Sequence, residues 1–160
     1  MKQNKGFTLI ELLAVIVILA IIALIATPIV LNMIANARKS AAKSSTLGYV
    51  DSIEYYAGFH QADPNGTDLG IAGYNVAVPA GDCNVTTTGD SVCGRFVAAV
   101  NAKSKGEAPK AGWFTTNNSG EVQAADLQYN GYTCHYVKGQ DTTCDKADIT
   151  AKVDTTTLAS

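Results

Sequence analysis

Lys5-Gly6-Phe7-Thr8-Leu9-Ile10-Glu11-Leu12-Leu13-Ala14-Val15 opens a stretch in which Glu11 is the sole charge between Lys5 and Arg38. From Leu12 to Ala26 every residue is apolar, and Thr27-Pro28 interrupts the run only briefly before Ile29-Val30-Leu31. At about 1.5 Å per helical residue, Phe7 to Leu31 is long enough to cross a hydrocarbon core of about 30 Å. A carboxylate within such a span costs on the order of 2.5–3.5 kcal/mol, so an arm used only as an anchor has no reason to keep one. An acid in this position is a functional residue by default.

The natural partner of Glu11 is a cation made by cutting the chain just ahead of the apolar run. Cleavage between Gly6 and Phe7 removes Lys2 and Lys5 and creates an amino group on Phe7. That amine lies one helical turn from Glu11, at i and i+4, within reach of its own carboxylate or of a neighbour's in a helical stack. A basic leader, Gly6-Phe7-Thr8-Leu9-Ile10-Glu11 and the branched apolar run behind it together resemble type IV prepilins and the pseudopilins of type II secretion systems. The likeness covers roughly residues 5–35. It implies cleavage after Gly6 by a prepilin peptidase, N-methylation of Phe7, and Glu11 as the acid that directs filament assembly. It further implies other pilin subunits, stacked as a helical homopolymer, and an inner-membrane assembly platform as partners.

Three plainer roles for the arm fit it less well. A simple anchor accounts for the apolarity but not for Glu11 beside Gly6-Phe7. A secretory signal fits Lys2, Lys5 and the Ala35-Asn36-Ala37 site, yet the apolar run exceeds the ~7–15 residues of an h-region and holds an acid. A buried core helix would need the remaining chain to wrap a helix apolar on every side.

The 160 residues support one domain beyond the arm, with 1–6 as leader, 7–59 as a long helix and 60–160 as a β-rich head. Within the helix, 7–31 is the membrane or filament-core half and 32–59 the amphipathic half. In the latter, Tyr49, Val50, Ile53, Tyr56 and Ala57 fall on one side at steps of three and four, while Arg38, Lys39, Lys43, Asp51 and Glu54 make a wet remainder. The whole helix measures about 80 Å. Pro28 removes the hydrogen bond to the Leu24 carbonyl and favours a kink. The resemblance places filament-induced unwinding at the same residue.

Asp63-Pro64-Asn65-Gly66 signals a turn, and Tyr74 to Pro79 alternates as a strand does. Phe96 to Lys103 suits either a strand or a short helix. Gly112–Thr116, Glu121–Gln128 and Tyr132–Val137, separated by turn residues, predict an antiparallel meander. A meander on the amphipathic half of a long helix makes the head α+β, as in pilins. The Thr-rich segment after Thr142 predicts a tail whose last dozen residues are loosely held.

Cys83 and Cys93 enclose nine residues, as do Cys134 and Cys144. Four cysteines allow three connectivities, and spacing alone does not choose among them. Local pairing is favoured because Thr88-Gly89-Asp90 and Lys138-Gly139-Gln140-Asp141 supply turns midway, which predicts two disulfide-clipped hairpins. Zinc is disfavoured, since there is no C-x-x-C pair and His135 beside Cys134 points to the opposite face of a strand. Gly89-Asp90-Ser91 is a poor match to a nucleophile turn, with only His60 and His135 available as bases. Asp63, Asn65 and Asp68 lack the spacing of an EF-hand. No enzyme and no cofactor are expected.

The processed chain would hold 10 lysines and arginines against 14 acids, and the part from His60 onward 7 against 11. Nucleic-acid binding through a basic surface is therefore not predicted. Basic residues before the span and a folded mass after it place the N-terminus in the cytoplasm and the head outside, where disulfides form. The expected role is a pilus subunit, single-pass in the membrane before assembly and at the cell surface afterwards. The alternatives are a pseudopilin of a secretion or DNA-uptake system, and a secreted or tethered binding module with an ordinary signal.

Overall fold

Leu9–Ala62 forms one 54-residue helix, α1, which runs three residues beyond the expected end near Phe59. The computed structural model describes residues 7–65, 75–104, 106–129 and 131–146. The leader, Asp68, Tyr74 and the tail after Lys146 lie outside them. The chain divides into two units, Met1–Ala37 and Arg38–Ser160, so the second half of α1 belongs with the head and the boundary falls inside the helix. In the first unit the apolar side chains face outward, from Phe7 at 88% exposure through Ile34. This segment is long and apolar enough to cross a membrane.

In the second unit α1 buries Ala42, Thr46, Tyr49, Val50, Ile53, Tyr56 and Ala57, a stripe at steps of three and four. The stripe joins a single core that also takes residues from β1 (Gly81–Asn84), α2 (Val92–Lys103), β2 (Ala111–Thr116), β3 (Val122–Tyr129), β4 (Tyr132–Val137) and β5 (Thr143–Asp145). Phe96 of α2 stands at its centre, edge-on to Tyr56 at 5.2 Å and tilted against Phe114 at 6.1 Å. Such pairs add roughly 0.5–1.5 kcal/mol each to the area they bury. Polar bonds fix the seating of helix on sheet. Glu54 Oε1 accepts from the Val122 amide at 3.0 Å, and Gln61 Nε2 donates to the Ser119 carbonyl at 2.6 Å.

The sheet has the order β1-β2-β3-β4-β5, antiparallel throughout. β2 to β4 form the expected meander, and β1 and β5 extend it at each edge. Two expectations are corrected. Residues 75–79 are not a strand: Val76 and Val78 do pack on the core, but the Val76 amide donates to the Tyr56 hydroxyl and the Pro79 carbonyl accepts from Thr116 Oγ1. Their alternation records burial on one side, and among the described residues no strand pairs with them to complete a ladder. The segment between Cys83 and Cys93 is likewise not a hairpin, since Cys83 sits in β1 and Cys93 in the first turn of α2. Asn84 Oδ1 turns the chain by accepting from the Thr86 amide, and Ser91 Oγ caps α2 by accepting from the Gly94 amide at 3.0 Å. Phe96 to Lys103 is therefore helical.

The structure joins Cys83 to Cys93 and Cys134 to Cys144. Cys134 and Cys144 are register partners in β4 and β5, so this bridge clips a hairpin whose second strand has three residues. A covalent ring of this size restricts the unfolded chain by about 2–3 kcal/mol. The Cys134→Ser/Cys144→Ser chain should lose that much stability in denaturant unfolding; a loss below ~0.5 kcal/mol would show that β5 holds without the bridge.

Glu121 and Lys138 tie the start of β3 to the end of β4 at 2.8 Å, and Asn117 Nδ2 also donates to Glu121. Hydrogen bonds from Lys138 and Asn117, then the lysine charge, hold the Glu121 carboxyl below its ordinary value. The stabilisation is present above the ordinary carboxylate range and is lost as pH falls through the depressed value. Both groups are exposed, so the effect is small. Thermal unfolding at descending pH should show a shallower decline for Glu121→Gln than for the native chain, and equal slopes would remove the pair from the acid response.

Candidate assembly site

The first turn of α1 carries the acid that the sequence singles out. Thr8 is the N-cap and Glu11 the third helical residue. Glu11 Oε2 accepts from the Thr8 amide at 2.7 Å and from Thr8 Oγ1 at 2.6 Å, while the Glu11 amide approaches Thr8 Oγ1 at 3.4 Å and the Thr8 carbonyl at 3.1 Å. This is a capping box, in which side chains at the N-cap and third positions satisfy each other's backbone donors. The sequence holds its signature, T-x-x-E before an apolar run, and attention to Glu11 alone misses Thr8 as its partner.

The box has an electrostatic consequence. Four amides at the start of a helix lack partners within it, and their partial positive charge favours an anion there. Glu11 is thus held at the helix end with a fixed orientation. Among the described residues its bonds engage Oε2 only, so Oε1 is open to a donor from outside the chain. Phe7, immediately before the cap, is exposed and lies outside the helix. Gly6 falls outside the described residues, which leaves the proposed scissile bond at their edge.

Pro28 lies within α1, which continues through it. The preceding Thr27 turns its hydroxyl back to the Ala23 carbonyl at 2.6 Å, a bond within the helix that needs no water.

The remaining candidates are dispersed. Ser91 is occupied as a helix cap. His60 lies in the last turn of α1, whereas His135 pairs with Asp126 on the sheet. Asp63 is buried at the end of α1, and Asp68 lies outside the described residues. No cluster of three His, Cys, Asp or Glu suited to a metal occurs among the described residues.

The family model described as the prokaryotic N-terminal methylation motif matches residues 1–27. The chain is 32% identical over 96 residues to the type IV major pilin protein PilA of Myxococcus xanthus, a match covering 55% of this chain and 44% of that protein. It therefore spans less than half the length of that relative. It is also 30% identical over 175 aligned residues to the fimbrial protein of Neisseria meningitidis serogroup B, covering 98% of this chain and 92% of that one. No solved structure gives a significant match.

Proposed function

We propose, since this chain belongs to the type IV pilin family, that it is a structural subunit of a pilus, released from the membrane into a helical filament through its apolar arm. The observation that carries this reading is the placement of Glu11: a lone carboxylate, oriented by Thr8, at the start of a helix whose first half turns its large apolar side chains outward. Such a surface has two stable surroundings, lipid or other copies of itself. Burying it among neighbouring arms at about 25 cal/mol per Å² supplies the cohesion of a filament.

The charges set the register. A prepilin peptidase cuts between Gly6 and Phe7, and the new Phe7 amine is methylated. That amine meets Glu11 of an adjacent copy at the open Oε1, while Thr8 holds Oε2. Opposite charges in an apolar surrounding attract strongly and are costly when separated, so the axial offset that pairs them is preferred over random bundling. Before assembly the arm crosses the membrane with its N-terminus in the cytoplasm and its head outside. Afterwards the head stands at the cell surface. The partners are the peptidase, the assembly platform in the inner membrane and further copies of the chain. The names of both relatives, a major pilin and a fimbrial protein, support a pilus subunit.

Intact-mass analysis without reduction tests the reading, applied to material sheared from source cells and to their membranes. The expected species begins at methylated Phe7, lacks four hydrogens for two disulfides, and is abundant in the sheared fraction. The same species confined to membranes would replace the pilus with a pseudopilus. A chain beginning at Arg38 would make the arm an ordinary signal and end the filament reading.

A further inference from the structure

The last turns of α1 border an open groove of about 290 Å³, lined by Glu54, Tyr55, Gly58, Phe59 and Ala62. Gly58 is exposed, and a Cβ added there would meet nothing within 4 Å. A glycine inside a helix weakens it relative to alanine, and neither a left-handed φ nor a crowding neighbour asks for this one. Close approach by a second chain gives it a use. Tyr55, one turn before Gly58, is 60% exposed, and its ring lies 4.6 Å from that of Phe59. Glu54 is half-buried: its Oε1 accepts from the Val122 amide, and among the described residues Oε2 has no donor. α2 carries a matching projection. Val92 is 43% exposed, and Arg95, one turn on, is exposed and has no carboxylate partner among the described residues. It is the sole arginine after Arg38. The exposed Ala98 and Ala102 continue that side of α2 at low height.

We propose that the α2 projection of one copy docks in the α1 groove of the next. Val92 fills the space over Gly58, while the Arg95 guanidinium lies on the Tyr55 ring and donates to Glu54 Oε2. The docking rests on the pilus reading above and adds to it a contact between heads. Spacing agrees. Val92 and Arg95 are three residues apart on α2, Gly58 and Glu54 four apart on α1, and both steps place neighbours about 5–6 Å apart on a helix surface. Rows of three packed on rows of four cross at about 20°. The matched order, Val92 on Gly58 and Arg95 on Glu54, makes the two helices antiparallel, so the positive start of α2 lies by the negative end of α1. Charge agrees as well, since an unpaired arginine meets a carboxylate with one oxygen open. A small molecule in the groove would leave the exposed Val92 and Arg95 without a use. Groove and projection are different surfaces of one chain, so the contact is head-to-tail and, repeated, runs from copy to copy. It can be weak, because the arms already hold the heads at high effective concentration.

The test is made on filaments sheared from source cells that express Gly58→Cys/Val92→Cys, treated with the thiol oxidant diamide. A disulfide needs Cα atoms within about 7 Å, so docking should yield a ladder of covalent dimers, trimers and longer species on a non-reducing gel. Each single variant should stay monomeric. Filaments at native yield without a ladder would overturn the docking and leave the pilus reading intact. Dimers from a single variant would replace it with a symmetric contact, and a bridge within one copy, read as a monomer two hydrogens lighter, would also overturn it. If the double variant does not assemble, Arg95→Glu decides. That change sets a like charge against Glu54 and should cut the sheared yield at least about fivefold, with the melting temperature of the detergent-solubilised subunit unchanged, whereas Arg95→Lys should keep most of the yield. Native yield from Arg95→Glu would overturn the docking. No filaments from the unsubstituted chain would overturn the pilus reading, and the docking with it.

Discussion

Glu11→Ala is expected to be cleaved and methylated as the native chain is, yet to yield few or no filaments. On the proposed assembly, removing the carboxylate would leave each Phe7 amine without a counter-charge as it entered the apolar core of the bundle. Breaking a buried pair by deleting one partner costs about 3–5 kcal/mol, or roughly two to three and a half decades in the equilibrium for adding a subunit. The variant also loses the capping box, so the two effects have to be separated. Thr8→Ala does so, because it deletes the hydroxyl that binds Glu11 Oε2 and keeps the acid. Losing one cap costs about 0.5–2 kcal/mol, which should reduce filament yield without abolishing it. Both variants are read by the mass of the processed chain and by the amount recovered on shearing. Filaments at normal yield from Glu11→Ala would remove the assembly role of the acid. Equal loss in both variants would make it a cap and nothing more.

Gly112→Ala is expected to unfold the head. Gly112 has φ +140°, and a Cβ there would lie 2.1 Å from the Asp126 carbonyl oxygen and 3.0 Å from Leu127 Cα. Both obstacles are backbone of β3, hydrogen-bonded into the sheet and unable to swing away as a side chain could. Relief requires parting β2 from β3 at the middle of the head, where the inward residues of both strands meet Phe96 and the α1 stripe. Strain and lost packing together should cost more than ~4 kcal/mol, beyond what most single substitutions do. Gly131→Ala is the control, with φ +79° and open space around the added carbon, for which backbone strain of about 1–2 kcal/mol is the whole cost. Near-UV circular dichroism and thermal unfolding of the full chains should show the first head without fixed tertiary structure and the second slightly less stable. A native-like transition for Gly112→Ala would mean that the two strands separate at little cost.

The arm was legible in the sequence because its signal is local. Fifteen consecutive apolar residues from Leu12 to Ala26 with one acid ahead of them need no knowledge of the rest of the chain. The capping box is equally local, written as Thr8 and Glu11 three residues apart, and it is easily passed over because the pairing expected of Glu11 already gives the acid a role. In the head, the α1 stripe could be read because a helix repeats its inward face at fixed steps. The same logic reached the meander, where turn residues separate three alternating segments.

It failed where a strand needs a neighbour. Residues 75–79 alternate as β1 might, but among the described residues no strand pairs with them, while Gly81–Asn84, with little apolar character, is a strand because β2 runs alongside it. The route from Cys83 to Cys93 depended on whether Ser91 would cap a helix or sit in a turn, and the buried contacts of Phe96 favour the helix. Trp113, Asp126 and His135 lie 22 residues apart in sequence at their extremes and become adjacent only through strand register. The sequence by itself therefore determined the exposed apolar arm, its oriented acid and the inward side of each regular element, since these follow from hydrophobicity and helical period along one stretch of chain. Tertiary structure alone decided which segments pair at the sheet edges and which side chains meet on its outer face, because hydrogen bonds between strands depend on residues far apart in the chain.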